Sequence, residues 1–222
     1  MKRWTAVALR LFAALALIFA VGHTGVEAQA PSSAGKAGSS RSTPAKTEVA
    51  TFAGGCFWCV EADFDKVDGV LSTVSGYMGG TTPKPTYAEV SAGGTGHLEV
   101  VKVTFDPARV SYMELVEKFW KSIDPYDAGG QFCDRGESYH TAIFTYSAEQ
   151  KQVAEASKKK LQASGPRRET VETAIRDAGP FTKAEDVHQN FYMTHPLRYK
   201  FYRYGCGRDQ RLEAIWGKKA GH

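Results

Sequence analysis

Thr51-Phe52-Ala53-Gly54-Gly55-Cys56-Phe57-Trp58-Cys59-Val60-Glu61 is the stretch on which the reading of this sequence turns. Glu48 to Ala53 reads as a strand, Gly54-Gly55 as a tight turn, and Trp58 to Lys66 as a helix that closes at Gly69. Cys56 therefore falls at a helix N-terminus, where unpaired N–H groups and the helix dipole favour an anion. A thiol ordinarily titrates near a pKa of about 8.5, and such a position lowers it toward the nucleophilic thiolate. The glycines let the backbone turn sharply and leave the sulfur approachable. Spacing alone leaves three readings of Cys56 and Cys59 open: a reactive cysteine, a structural disulfide, or a dithiol that exchanges disulfides. A zinc site is not expected, since there is no second Cys-x-x-Cys and His188 and His195 lack a matching cysteine pair.

Outward from this stretch, Val70 to Tyr77 and Leu98 to Phe105 read as strands, the second stopped by Asp106-Pro107. Counting by two from Phe105 through Val103 and Val101 puts Glu99 on the apolar face. Desolvation there raises a carboxyl pKa above about 4.3, making Glu99 a candidate proton donor; the alternative is an exposed strand start. Ser111 with Glu114 forms a capping box for a helix with Tyr112, Leu115, Val116 and Phe119 on one face. Ile123 to Ser138 reads as a polar loop and Thr141 to Tyr146 as a strand. A helix follows from Ser147 to about Ala163, with Lys158-Lys159-Lys160 on its solvated face, and then a strand from Glu169 to Ile175. Thr182 with Glu185 predicts a third capped helix, with Val187, Phe191 and Tyr192 facing inward. In the Tyr-rich tail after Pro196, only Arg208 to Trp216 carries a helical pattern. Helices and strands mixed without strict alternation give an α+β fold.

The chain ends explain the composition. Of 222 residues, 42% are hydrophobic and 23% charged, which excludes a multi-span membrane protein and a wholly disordered chain. Lys2, Arg3 and Arg10 precede the uncharged run Leu11 to Gly22, too short for a span of about 20 residues. Residues 1–28 read as a signal peptide, with a cleavage site at Val26-Glu27-Ala28 and an uncleaved anchor as the alternative. Residues 29–47 lack any aromatic, and any aliphatic larger than Ala, and read as a flexible linker. These two segments carry +2 and +3 of the net +4 charge, leaving −1 on residues 48–222. That balance carries no nucleic-acid footprint.

Several separated motifs then converge. Gly54-Gly55-Cys56-Phe57-Trp58, Gly76-Tyr77-Met78-Gly79-Gly80, Pro85-Thr86-Tyr87-Ala88-Glu89-Val90 and Gly96-His97-Leu98-Glu99 closely resemble the A-type peptide methionine sulfoxide reductases (MsrA). The resemblance continues through Phe119-Trp120, Asp124-Pro125, Tyr139, Ala184-Glu185-Asp186 and His188-Gln189, covering about residues 49–192. It implies a two-layer α+β sandwich with a ferredoxin-like core and the catalytic cysteine at the start of the first helix. It implies reduction of the S epimer of methionine sulfoxide, free or in proteins, as repair after oxidative stress. Cys56 would be the nucleophile and Glu99 the proton donor. Tyr87 and Tyr139 would hold the oxygen with help from Asp134, and Phe57 and Trp58 would seat the methyl group. Those aromatic residues would otherwise read as core.

The resemblance also implies a sulfenic acid on Cys56, a resolving cysteine, and an external thioredoxin-like dithiol with no bound cofactor or metal. Here the chain departs from the common pattern, with Cys59 where Gly is frequent, a single Cys206 in Tyr204-Gly205-Cys206-Gly207, and Val187 in place of Tyr. The flanking glycines favour Cys206 as resolver, with Cys59 and Cys133 as alternatives. The expectation is thus a signal peptide (1–28), a linker (29–47) and a monomeric reductase domain (48–222) whose segment 196–222 carries the resolver. The protein is expected to be exported, periplasmic or secreted, and free of the membrane after cleavage. A thioredoxin-like oxidoreductase using Cys56 and Cys59 is the alternative function, and a disulfide-stapled binding domain a third.

Overall fold

The computed structural model describes residues 46–218. The signal peptide assigned to 1–28, and the linker up to residue 45, lie outside the described residues. The elements are β1 (Glu48–Gly54), α1 (Phe57–Phe64), β2 (Val70–Met78), α2 (Tyr87–Ala92), β3 (Leu98–Phe105) and α3 (Tyr112–Lys121). A short hairpin, β4 (Gly130–Gln131) and β5 (Asp134–Arg135), precedes β6 (Thr141–Thr145) and α4 (Ala148–Ser164). Then come β7 (Ala174–Asp177), β8 (Thr182–Lys183), α5 (Phe191–Thr194), α6 (Pro196–Gly205) and α7 (Arg208–Trp216).

The main sheet runs β7-β6-β1-β3-β2-β8. Every neighbouring pair is antiparallel except β6–β7. Helix α1 joins β1 to β2 across the intervening β3, and α3 joins β3 to β6 across β1. This is the split β-α-β arrangement of a ferredoxin-like core, extended by one strand at each edge. Strand alternation sorts the side chains. Phe52, Val101, Val103 and Phe105 join the large cluster beneath the helices, with Phe64, Leu115, Val116, Phe119 and Ile143. Phe52 is stacked between Phe64 and Phe119, at ring-centroid distances of 4.8 and 4.9 Å. Leu98, Val100, Ala53, Met78, Ala142 and Phe144 pack on the opposite face, against Ala178 and Phe181. Truncating a ring as enclosed as Phe52 to Ala costs about 3–5 kcal/mol.

The local signals hold where their partners are local. Ser111 and Glu114 form both bonds of the capping box that starts α3. Thr86 and Glu89 do the same for α2, a helix the sequence reading missed. Ser147 caps α4 through the Gln150 N–H. The predicted helix from Thr182 is corrected: Thr182 and Lys183 form β8 against β2, followed by a 3-10 turn at Asp186–His188. The Glu185 carboxylate is drawn away from Thr182, accepting instead from the Tyr77 hydroxyl and the Tyr87 N–H, each at 2.8 Å. Phe191 is buried as expected, but Val187 is 58% exposed. The strand expected at 169–175 lies later, at Ala174–Asp177. The tail is ordered into α6 and α7, with the Trp216 indole N–H donating to the Ile123 carbonyl beside α3. Among the described residues, no helix is long and apolar enough to cross a membrane.

Candidate active site

The site begins where β1 becomes α1. Gly55 has a φ of +78°, and a Cβ there would sit 2.5 Å from Gln131 Cβ, so only glycine fits. The turn delivers Cys56 as the N-cap residue of α1, its carbonyl accepting from the Cys59 N–H at 3.1 Å. The Cys56 side chain makes no capping bond. The Phe57 N–H, in the first helical turn, donates instead to Glu99 Oε2 at 2.9 Å. Strand β3 thus places Glu99 at the helix start, on the buried face that alternation assigns it and only 3% exposed. Burial pushes its carboxyl pKa up to about 8, the Phe57 N–H opposing and the charges of Asp134 and Cys59 assisting.

The cysteine pair departs from the expectation of a lowered Cys56 pKa. Cys56 and Cys59 are free and buried, 6% and 1% exposed. Burial pushes the Cys56 thiol well up, reinforced by Cys59 and Glu99, while the Tyr202 hydroxyl opposes. The helix-start effect is outweighed because the sulfur has lost water and faces a carboxyl group. Cys59 moves down, first through its hydrogen bond with Cys56 and then through the charges of Arg208 and Arg203.

A cleft of about 260 Å³ opens over Cys56, lined by Phe57, Trp58, Tyr87, Glu99, Asp134, Tyr139, Arg198 and Tyr202. It gathers all the expected nucleophile, acid, oxygen-holding and methyl-seating residues. The Trp58 indole N–H donates to His188 Nδ1 at 3.2 Å, and its ring stacks on Phe191 at 3.8 Å. Burial lowers the His188 pKa, which suits a neutral ring accepting at Nδ1. Phe57 packs between Tyr77 and Tyr87, with ring centroids 6.0 and 6.3 Å away. The Gln189 side chain accepts from the Ser75 N–H and donates to the Ser75 and Ala184 carbonyls, fastening this segment to β2.

Tyr202 and Arg198 are site residues that sequence reading missed. Tyr202 donates its hydroxyl proton to the Asp134 carboxylate. Burial raises the Asp134 pKa, with this bond and Arg208 opposing. Tyr199, Tyr202 and Arg203 are spaced i, i+3, i+4, a helical pattern that would have revealed the inner face of α6.

The remaining two cysteines are joined. Cys133, at the turn of the β4–β5 hairpin, forms a disulfide with Cys206 at the end of α6. Cys206 is therefore not paired with Cys56, nor does it sit in the loose Gly-flanked segment the sequence implied. It caps α6 one residue before the Gly207 that leads into α7. Arg208 is buried immediately beyond, donating to the Ser122 carbonyl at 2.7 Å and lying 4.5 Å from the Phe132 ring centroid.

Comparison with known proteins matches this architecture. A family model described as peptide methionine sulfoxide reductase matches residues 48–220. The chain belongs to that family. It is 52% identical over 174 residues to the peptide methionine sulfoxide reductase MsrA of Bacillus licheniformis, covering 78% of this chain and 96% of the relative. The Bacillus subtilis MsrA is 51% identical over 174 residues, covering 78% and 98%. Among solved structures, methionine sulfoxide reductase A of Corynebacterium diphtheriae aligns with a TM-score of 0.62 at 36% identity, covering 71% of this chain and 78% of that one. Mxr1 from Saccharomyces cerevisiae in reduced form aligns at 0.65 and 28% identity, covering 69% and 88%. The chain is an MsrA-type oxidoreductase that reduces methionine sulfoxide.

Proposed function

We propose that this cleft reduces the S epimer of methionine sulfoxide, free and in proteins, with Cys56 as nucleophile and Glu99 as acid. The observation that carries the reading is Glu99, buried beside the Cys56 turn and accepting from the Phe57 N–H, where burial pushes its carboxyl pKa up to about 8. As the Cys56 sulfur attacks the sulfoxide sulfur, Glu99 gives its proton to the oxygen. The oxygen passes to Cys56 as a sulfenic acid, methionine leaves with the S–O bonding pair, and the Cys56 thiol proton restores Glu99. Tyr87, Tyr139 and Asp134 surround the oxygen, while Phe57 and Trp58 take the methyl group, which gains positive character. Oxygen toward the donors, methyl toward the rings and sulfur toward the thiol fix one hand of the sulfoxide; the mirror epimer fails one requirement. Activity on the R epimer equal to that on the S epimer would overturn this.

For resolution we propose Cys59, one of the alternatives, in place of the Cys206 of the sequence-based expectation. Cys59 is the third residue of α1, one turn from Cys56, and its thiol is hydrogen-bonded to that of Cys56. Cys206 is already bonded to Cys133. The Cys59 sulfur attacks the sulfenic sulfur, the S–S bond forms, and the oxygen leaves as water. An external thioredoxin-like dithiol then restores both thiols. Mass spectrometry of the disulfide formed in one turnover without reductant tests this. A Cys56–Cys59 bond is expected, and a Cys56–Cys206 bond would return the role to Cys206. We further propose that the enzyme acts as an exported monomer, in the periplasm or outside the cell, after removal of residues 1–28. The support is the basic start and short apolar run; N-terminal sequencing of the mature protein checks it.

A further inference from the structure

The Cys133–Cys206 bridge carries a carboxylate against both of its sulfurs. Asp134 Oδ1 lies 3.8 Å from Cys133 Sγ, and Oδ2 lies 3.7 Å from Cys206 Sγ. A disulfide sulfur bears no proton, so these are contacts rather than hydrogen bonds. Among the described residues this is the one group of three cysteine, histidine or acidic side chains whose ligand atoms all fall within 4.8 Å of one another. We propose that, when the bridge is reduced, Cys133, Cys206 and Asp134 form a site for a thiophilic divalent cation such as zinc.

The dimensions fit. Around tetrahedral zinc, with Zn–S of about 2.3 Å and Zn–O of about 2.1 Å, the S···O edge is about 3.6 Å and the S···S edge about 3.8 Å. Each sulfur lies at about this distance from one Asp134 oxygen, Cys133 from Oδ1 and Cys206 from Oδ2, and with one ligand atom per residue the three all fall within 4.8 Å. Breaking the bridge parts the sulfurs to non-bonded contact, and a small turn of the carboxylate presents one oxygen to both. The supporting groups also suit a metal thiolate. The Cys133 N–H points at Cys206 Sγ from 3.2 Å, and the Tyr202 hydroxyl orients the Asp134 carboxylate. Arg208 acts electrostatically on Asp134 and offsets negative charge at the site. Cys133 is exposed, so an ion has a path in, and three protein ligands leave the fourth position to water.

The site is gated by redox state. An external dithiol or phosphine supplies two electrons; the S–S bond breaks to two thiols while the reductant becomes a disulfide or phosphine oxide. Zinc then displaces both thiol protons to solvent. A bound ion holds Asp134 at the cleft rim and blocks re-formation of the bridge. Zinc therefore competes with oxidation for the same two sulfurs.

The test is an anaerobic zinc titration of the untagged full chain, reduced with a phosphine and desalted, in competition with a chromophoric chelator. One zinc per reduced chain is expected and none on the oxidised protein. Cys133→Ser with Cys206→Ser should abolish binding, while Cys56→Ser with Cys59→Ser should retain one zinc. Tyr202→Phe should weaken binding roughly tenfold, as loss of an orienting partner does, and Asp134→Asn should weaken it further. Cobalt(II) should give a thiolate charge-transfer band that depends on Cys133 and Cys206. Zinc retained by the Cys133/Cys206 variant, lost with the Cys56/Cys59 variant, bound equally by the oxidised chain or unaffected by Asp134→Asn would overturn the proposal. If the double serine variant does not fold, the Asp134→Asn and Tyr202→Phe titrations and the cobalt spectrum decide.

Discussion

At the scale of single residues, the proposed chemistry rests on two buried groups, the Cys56 thiol and the Glu99 carboxyl. Burial pushes the Cys56 thiol pKa well up and the Glu99 carboxyl pKa up to about 8. With Glu99 as the proposed acid, the active form exists below this pKa, so kcat/KM should decline as pH rises through about 8. Glu99→Gln should lower kcat by roughly 10²–10⁴-fold and erase that alkaline limb, with the circular dichroism unchanged. An intact limb in the variant would assign it to another group. Folding should respond in the same direction. Glu99 stabilises the fold fully below its ordinary pKa and loses that contribution as pH rises toward its folded value, so Glu99→Gln should melt above the parent at pH 9. Cys56→Ser should retain the fold and produce no methionine in a single-turnover assay; residual turnover would move the nucleophile elsewhere.

At the scale of elements, α1 is held from beneath by a second buried acid. Glu61 accepts from the Asn190 N–H at 2.8 Å, while its other oxygen is buried with no hydrogen-bond partner. Burial raises its pKa to about 7, with the Asn190 N–H opposing and Asp65 assisting. Its ionisation weakens the fold as pH rises from its ordinary range toward 7. Glu61→Gln should therefore raise the melting temperature at pH 8.5, by on the order of 1–3 kcal/mol in stability, and change little at pH 4.5. Equal effects at both pH values would mean that the orphan oxygen, not the charge, sets the penalty. These elements also show what a sequence discloses. The α3 capping box and the inward face of β3, Glu99 included, were legible because their partners lie within a few residues or follow strict alternation. Thr182–Glu185 has the same capping signature yet forms no helix, because Glu185 is claimed by Tyr77 and Tyr87, about 100 residues away. Tyr202 escaped because its value lies in reaching Asp134 from a helix whose inner face is aromatic and cationic rather than aliphatic.

At the scale of the whole molecule, one covalent link closes the cleft. Asp134 and Tyr139 enter from the hairpin side and Tyr202 from α6, and the Cys133–Cys206 bond ties these two walls across 73 residues. Closing a loop of that length removes unfolded-state entropy worth about 4 kcal/mol in the chain-entropy model. Reduction, or Cys133→Ser with Cys206→Ser, should lower the urea midpoint by a matching amount. The variant, unlike the parent, should show no further change on adding reductant. Cys56, Cys59 and Glu99 lie outside the bridge, so the variant should still form one methionine per chain in a single turnover and close a Cys56–Cys59 disulfide. Its KM for the sulfoxide should rise, because Asp134 is no longer pinned against Tyr202. A variant that makes methionine once but accumulates the Cys56 sulfenic acid would show that resolution runs through the bridge cysteines. A midpoint unchanged by reduction would show that packing of α6 and α7 through Arg208 and Trp216, rather than the covalent link, holds the walls together.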